Sequence, residues 1–416
     1  MSEKIKIFTI SDHPLSPSGV GTQTKYMIEG LLATGKYQFV SFGGAIRHPN
    51  LDPQKTEQWG DDWVIWPVNG YGDQNMVRSM IRQQKPDILW FMTDPRFYDW
   101  LWAIENELRE LVPMVYYHVW DNYPYPEFNK KFYRSNDHIA CISQLTHDIV
   151  QTVTPEVDSS YIPHAVNPDV FKPLPEENVS QWKKDHQIDD KFLVFWNSRN
   201  ARRKQSGTVI WWFKEFLDRV GHDKARLIMH TDIKDEHGQD LEAIIRDLGL
   251  TNREVMFSQE KVSPGDLAAM YNMADVTVCI SDAEGFGLST LESLSSGTPI
   301  VVTMTGGLQD QVTDGENWFG IGIEPIAKAI IGSQQVPYIY EDRIGKEDFI
   351  NALVDIYEMT PEQRNDLGAK GREWTQDRFN FDKFVETWDN LFTRLHDELG
   401  SHEDRQGYQS YEMKVY

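Results

Sequence analysis

Residues 275–292 read DVTVCISDAEGFGLSTLE. Val276, Val278 and Ile280 lie in a short, β-rich apolar run that ends at Ser281. Such a short β-rich run reads as a strand. GFG cannot continue it, and a helix should begin near Gly287 or Leu288. The next apolar run, TPIVVTM, supplies the following strand. Strand, glycine-bearing turn, helix and strand make a βαβ unit of a parallel sheet.

In open α/β sheets, ligands sit outside the carboxyl ends of the strands. The stretch from Asp282 starts at such an end. The free N–H groups and positive dipole end of its helix form an anion site. Gly285 and Gly287 let the backbone approach a ligand closely. Glu284 falls in the loop and Glu292 about one turn into the helix. Two carboxylates beside an anion make sense if they accept hydrogen bonds from hydroxyls flanking it. The plainer alternative is a loop acid and a solvated helix acid.

The same alternation extends outward. KIKIFTIS, YQFVSFGG, DILWFMT, MVYYHVW and HIACIS read as strands before residue 150. KFLVFWNS, ARLIMHT and REVMFSQ read as strands after residue 190, with helical patterns between them. Pro168, Pro173 and Pro175 mark a stretch of little periodicity. The pattern predicts two doubly wound Rossmann-like α/β domains. We place the first at 1–170, a linker at 171–190 and the second at 191–377. A helix at 378–398 and a polar, mobile tail at 399–416 follow.

The chain has 416 residues, of which 40% are hydrophobic and 25% charged, a globular balance for two domains. With 41 Lys and Arg against 64 Asp and Glu, the net charge is −23, which opposes general binding of DNA or anionic lipid. Two cysteines argue against a disulfide framework. No apolar run reaches membrane-spanning length, and MSEKIKIFTISDH lacks the features of a signal peptide. A cytoplasmic protein without an integral membrane segment is expected. No His/Cys cluster has metal spacing and no Asp-x-Asp follows an apolar strand. No essential metal or cofactor is expected.

At the end of KFLVFWNS stands RNARRKQSG, with Arg199, Arg202, Arg203 and Lys204. A solvated basic turn is the common reading of such a cluster. Here it falls in the domain that already predicts an anion site.

Taken together, these elements resemble the retaining nucleotide-sugar glycosyltransferases of the two-domain GT-B fold, family four. The resemblance lies in E-x7-E (Glu284 to Glu292) around GFG, and in Arg199 followed five residues later by Lys204. It also lies in IPHAVNPDVF for the hinge strand, SGVG (Gly19 to Gly21) for the first loop, His118 in YYHVW, and the closing RFNFDKFVETWDNLF. The hinge departs from the pattern at His164, Ala165 and Asn167. The resemblance implies domains facing across a cleft, with the last helix crossing back to the first. It implies that Glu292 holds ribose hydroxyls and that Glu284 contacts the donor sugar. Phe286, Gly287 and Leu288 would offer backbone to sugar and diphosphate, with Gly19 and Gly21 also on the donor side. Arg199 and Lys204 would neutralise the leaving diphosphate, and His118 would join the catalytic set.

The implied reaction moves a sugar, with a UDP-sugar favoured as donor, to a hydroxyl acceptor with retention. Trp120, Asp121 and Tyr123, after the strand MVYYH, are candidate acceptor contacts; flat faces and hydrogen-bonding groups together suit a sugar ring or a base. A glycan or small hydroxylated acceptor is favoured. A phage-type transferase acting on hydroxymethylated DNA and a nucleotide-sugar epimerase are the alternatives.

Overall fold

The computed structural model describes residues 4–408. The chain divides into two compact units. One holds the chain up to His164 and from Asp382 onward, with Gly332–Pro337; the other holds Ala165–Ile331 and Tyr338–Phe381.

The first unit is built on β1 (Ile5–Asp12), β2 (Tyr37–Gly44), β3 (Gln54–Lys55), β4 (Trp63–Pro67), β5 (Ile88–Met92), β6 (Met114–His118), β7 (His138–Cys141) and β8 (Ser159–Tyr161). Their order in the sheet is β3-β4-β2-β1-β5-β6-β7-β8. All neighbours are parallel except the edge pair β3 and β4. Every residue of β5 and β6 is buried, as continuous apolar runs require when both faces are covered.

The helix Phe381–Leu399 belongs to this unit and buries Phe384, Trp388, Leu391, Phe392 and Leu395. Trp388 meets Trp90 at 6.0 Å and Tyr117 at 4.9 Å, both edge to face. Asp389 accepts a hydrogen bond of 2.6 Å from Tyr37 Oη.

The tail expected to be mobile from residue 399 is instead anchored over 400–408. The Arg405 side chain, 5% exposed, reaches Asp137 at 3.1 Å and donates to the Arg109 carbonyl at 3.0 Å. Asp137 also holds Arg109 at 3.1 Å, so one buried carboxylate ties two guanidiniums. The remainder of that tail, 409–416, lies outside the described residues.

The second unit has β9 (Phe192–Asn197), β10 (Ala225–His230), β11 (Val255–Ser258), β12 (Val276–Cys279), β13 (Ile300–Thr303) and β14 (Gly320–Ile323), ordered β11-β10-β9-β12-β13-β14 and parallel throughout. Its main core joins Val194, Trp196, Phe213, Phe216, Leu227, Val278 and Leu353.

Two features differ from the sequence reading. The stretch expected as linker contains the helix Glu176–Asp185. It buries no residue, so no apolar stripe announced it. Glu176 and Glu177 in its first turn and Lys183 and Lys184 in its last complement the helix dipole. After β14 comes an antiparallel hairpin, β15 (Ala327–Ile331) and β16 (Ile339–Arg343), which interrupts the parallel order.

Candidate functional site

The strand-end loops of the second unit converge around Glu284. β12 ends at Cys279, and the helix after the glycine loop runs Leu288–Ser295. Gly287 precedes that helix at φ 92, in the left-handed region, and no side chain caps it. A Cβ on Gly287 would lie 2.5 Å from Leu308 and 2.7 Å from Thr290. The helix therefore starts with uncapped N–H groups behind a turn that only glycine fits.

Beyond β9, Arg202–Lys204 form one turn of 3-10 helix. This turn meets the acid loop. Lys204 Nζ donates to Glu284. Arg203 donates to the Ala283 carbonyl at 2.5 Å and lies 3.4 Å from Glu284. Ser281 Oγ donates to Glu284 at 3.2 Å. Burial alone would raise the Glu284 carboxyl, but Lys204 and Arg203 outweigh it and hold it down to about 2. A largely buried carboxylate is thus kept ionised by two cations.

Glu292 has the opposite setting. Its carboxylate accepts from Tyr271 Oη at 2.7 Å, and Tyr271 Oη accepts from Asn197 Nδ2 at 2.8 Å. No cation is paired with it among the described contacts. Burial raises Glu292 to about 7, although the Tyr271 hydrogen bond works against this. The two glutamates of one motif therefore sit in opposite electrostatic settings, one pushed down by cations and one pushed up by burial.

Arg199 is not drawn to Glu284. Its guanidinium forks onto Asp235, at 2.6 and 3.0 Å. It borders a cavity of about 220 Å³ at the ends of β9, β10 and β11, lined also by Asn197, His230, Thr231, Gln259 and Lys261. Phe286 turns its ring inward, edge to face with Phe379 at 5.7 Å. Its carbonyl and that of Gly287 accept from Gln311 Nε2 at 2.7 and 3.0 Å. Leu288 opens the helix.

Gln311 and Gly306 were not singled out in the sequence. Gly306 sits at φ 50, where a Cβ would fall 1.9 Å from the Glu284 carbonyl. The signal was present: a Gly-Gly pair one residue after the strand TPIVVTM, at a third strand end. Among the described residues, no group of three or more His, Cys, Asp and Glu is placed to hold a metal ion.

The remaining candidates lie in the first unit. Gly19 and Gly21 open the helix Gly19–Ala33, where Ser18 Oγ caps the Gly21 N–H at 2.9 Å. His118 is wholly buried, with Nε2 2.8 Å from Tyr133 Oη, and burial pushes it down to about 3. Its ring lies beside Tyr116 and Tyr133, and its Nδ1 is buried without a hydrogen-bond partner. Trp120 is also buried, its Nε1 donating to the Asn122 carbonyl at 3.1 Å. Asp121 is partly exposed. Tyr123 is exposed and pairs with Tyr125, ring centroids 5.5 Å apart.

The cradle of Glu284, Lys204 and the uncapped helix lies within a recognised segment. Residues 178–374 match the family model of glycosyl transferases group 1. The group 1 segment takes in β9 to β14 and every second-unit candidate above. A D-inositol 3-phosphate glycosyltransferase of Corynebacterium diphtheriae is 30% identical over 179 residues, 41% of this chain and 40% of that protein. An alpha-monoglucosyldiacylglycerol synthase of Streptococcus pneumoniae is 24% identical over 186 residues, 44% of this chain and 41% of that one. The chain spans only 18% of the D-inositol 3-phosphate glycosyltransferase of Corynebacterium urealyticum, at 40% identity over 77 residues.

Likeness in structure covers nearly the whole chain. A sucrose-phosphate synthase from Thermosynechococcus elongatus superposes with a TM-score of 0.74 at 17% identity, covering 95% of this chain and all (100%) of that one. HepE of Anabaena, in complex with UDP-glucose, superposes with a TM-score of 0.70 at 16% identity, covering 94% and 100%. At such identities the likeness is one of fold, and the fold is GT-B.

Proposed function

We propose that the protein is a glycosyltransferase that moves a sugar from a nucleoside-diphosphate donor to a hydroxyl acceptor, with retention of configuration. The observation that carries this reading is the Lys204–Glu284 pair beside the uncapped helix at Gly287. A diphosphate entering there meets Lys204, Arg203 and helix N–H groups. As it replaces Glu284 on the cations, Glu284 is released to accept hydrogen bonds from sugar hydroxyls. Arg199, after leaving Asp235, adds positive charge on the leaving group. Oriented charge aimed at a developing anion is commonly the largest catalytic contribution. Glu292 takes the ribose hydroxyls, and the cavity beside Arg199 takes the base. UDP is the favoured nucleotide, in keeping with the UDP-glucose named in the HepE complex.

In this reading the first domain carries the acceptor, with Asp121 and Tyr123 as candidate contacts. A glycan or small hydroxylated acceptor is favoured over modified DNA, since the net charge of −23 opposes a polyanion. The names of the relatives, an inositol phosphate glycosyltransferase and a glycolipid synthase, fit a hydroxylated acceptor. Cationic side chains do the work of a metal, so turnover survives EDTA.

The test begins with thermal stabilisation by UDP, GDP and ADP. UDP should give the largest shift. Mass spectrometry of a glycan and of hydroxymethylated DNA, incubated with UDP-glucose, then reads the acceptor. Gain of one hexose on the glycan supports the reading. Labelling of DNA alone, falling steeply with salt, overturns the acceptor preference. No stabilisation by any of the three nucleotides overturns the reading itself.

A further inference from the structure

We infer that the hairpin of β15 and β16 is built to hold the donor site in shape, and that Glu341 is the positioning residue through which it acts. The inference rests on the reading of Lys204 and Arg203 as diphosphate ligands. The hairpin adds little to the core: Lys328 and Ile330 face solvent. Its second strand does the opposite. Glu341 is 2% exposed, and a carboxylate so buried requires ionic partners.

It has them. Arg202 places its two terminal nitrogens on the two Glu341 oxygens, at 2.7 and 2.6 Å. Arg343 donates to Glu341 at 2.9 Å and reaches the buried Asp282 at 2.9 Å. Gln205 Nε2 donates to Asp282 at 2.7 Å. The Asp342 N–H donates to the Asp282 carbonyl at 2.8 Å, and Thr305 Oγ1 donates to the Asp342 carboxylate at 2.7 Å. One strand of the hairpin thus grips the loops after β9, β12 and β13.

The consequence lies in the turn Arg202–Lys204. A bidentate guanidinium–carboxylate pair fixes orientation as well as distance. With Arg202 held on Glu341, the next two cations of the turn meet Glu284. Removing the Glu341 charge leaves Arg202 and Arg343 to compete for Asp282. The turn then shifts, and Arg203 and Lys204 lose their place.

The experiment compares binding of UDP and UMP by calorimetry. The ratio of the two affinities reports contacts to the second phosphate and is not moved by a mere loss of stability. The wild-type protein should prefer UDP, and Lys204→Ala should reduce that preference by roughly tenfold, as for a lost charged hydrogen bond. Glu341→Gln should reduce it comparably while the protein still melts cooperatively. The double variant should fall no further, because Glu341 acts through the turn that carries Lys204. Should Glu341→Gln fail to fold, Arg202→Gln breaks the same pair and should give the same loss. An undiminished preference in Glu341→Gln, with Lys204→Ala impaired, overturns the inference and leaves the proposed function standing. An undiminished preference in Lys204→Ala overturns both.

Discussion

The strand ends of the two domains are built in contrasting ways. In the second, the ends of β9 and β12 and the strand β16 carry charges in short-range pairs on largely buried carboxylates: Lys204 and Arg203 on Glu284, Arg202 on Glu341, Arg343 on Asp282. In the first, the end of β6 carries neutral buried groups: His118, bonded to Tyr133 through Nε2 with its Nδ1 unpartnered, and Trp120 on the Asn122 carbonyl. Buried charge is costly unless paired and is retained where its field has work to do. Buried aromatics are stable by default. The contrast is what the proposed donor role of the second domain requires.

The largest expected effect falls on Lys204. Lys204→Ala should lower turnover on a UDP-sugar by about 100- to 1,000-fold, the range for one lost transition-state donor. Steady-state kinetics on a verified acceptor measures it. Near-normal turnover would break the contrast, because the charges of the second domain would then be as structural as the neutral groups of the first.

Gly306→Ala comes next. The left-handed backbone costs a β-carbon about 1–3 kcal/mol, and the contact with the Glu284 carbonyl adds to that. Denaturant unfolding should register the loss, and turnover should fall with it. Unchanged stability and turnover would mean that the third strand end does not support the acid loop.

His118→Leu tests the other side. It removes the partner of a buried Tyr133 hydroxyl, which should cost about 1–3 kcal/mol of stability. Turnover per folded molecule should hardly change. A large fall in turnover at unchanged melting temperature would return His118 to the catalytic set and erase the contrast.

The same contrast explains what was legible in the sequence. Buried parallel strands leave continuous apolar runs, so β5, β6, β9, β12 and β13 could be read directly. Glycines and charges at strand ends singled out Glu284, Glu292 and Lys204, and the fold pairs the first with the last. The helix Glu176–Asp185 buries nothing and left no periodic stripe. The hairpin's role depends on Glu341 meeting Arg202 across 139 residues, a pairing no local pattern encodes. His118 and Trp120 stand at a strand end as ligand-binding residues do. Whether such a ring faces inward or outward is settled by its neighbours, here Tyr133 and Phe128, and not by its position in the chain.

The smallest effect separates the two glutamates. Glu284, held near 2 by its cations, stays ionised from about pH 8 to about pH 6. Glu292 is raised from 4.5 to about 7, so the folded chain takes up a proton there as pH falls through 7, whereas the unfolded chain waits until 4.5. Between those values the native state binds more protons, so this group makes the domain more stable as pH falls. Nucleotide binding should move the other way. A protonated Glu292 is a poorer acceptor for ribose hydroxyls, and UDP affinity should drop by up to about tenfold from about pH 8 to about pH 6. Glu292→Gln, permanently neutral, should flatten both trends. Calorimetric UDP titrations and melting curves on the two proteins measure them together. Stability and affinity rising or falling together with pH, or a Glu292→Gln profile identical to wild type, would show that Glu292 is no different in kind from Glu284.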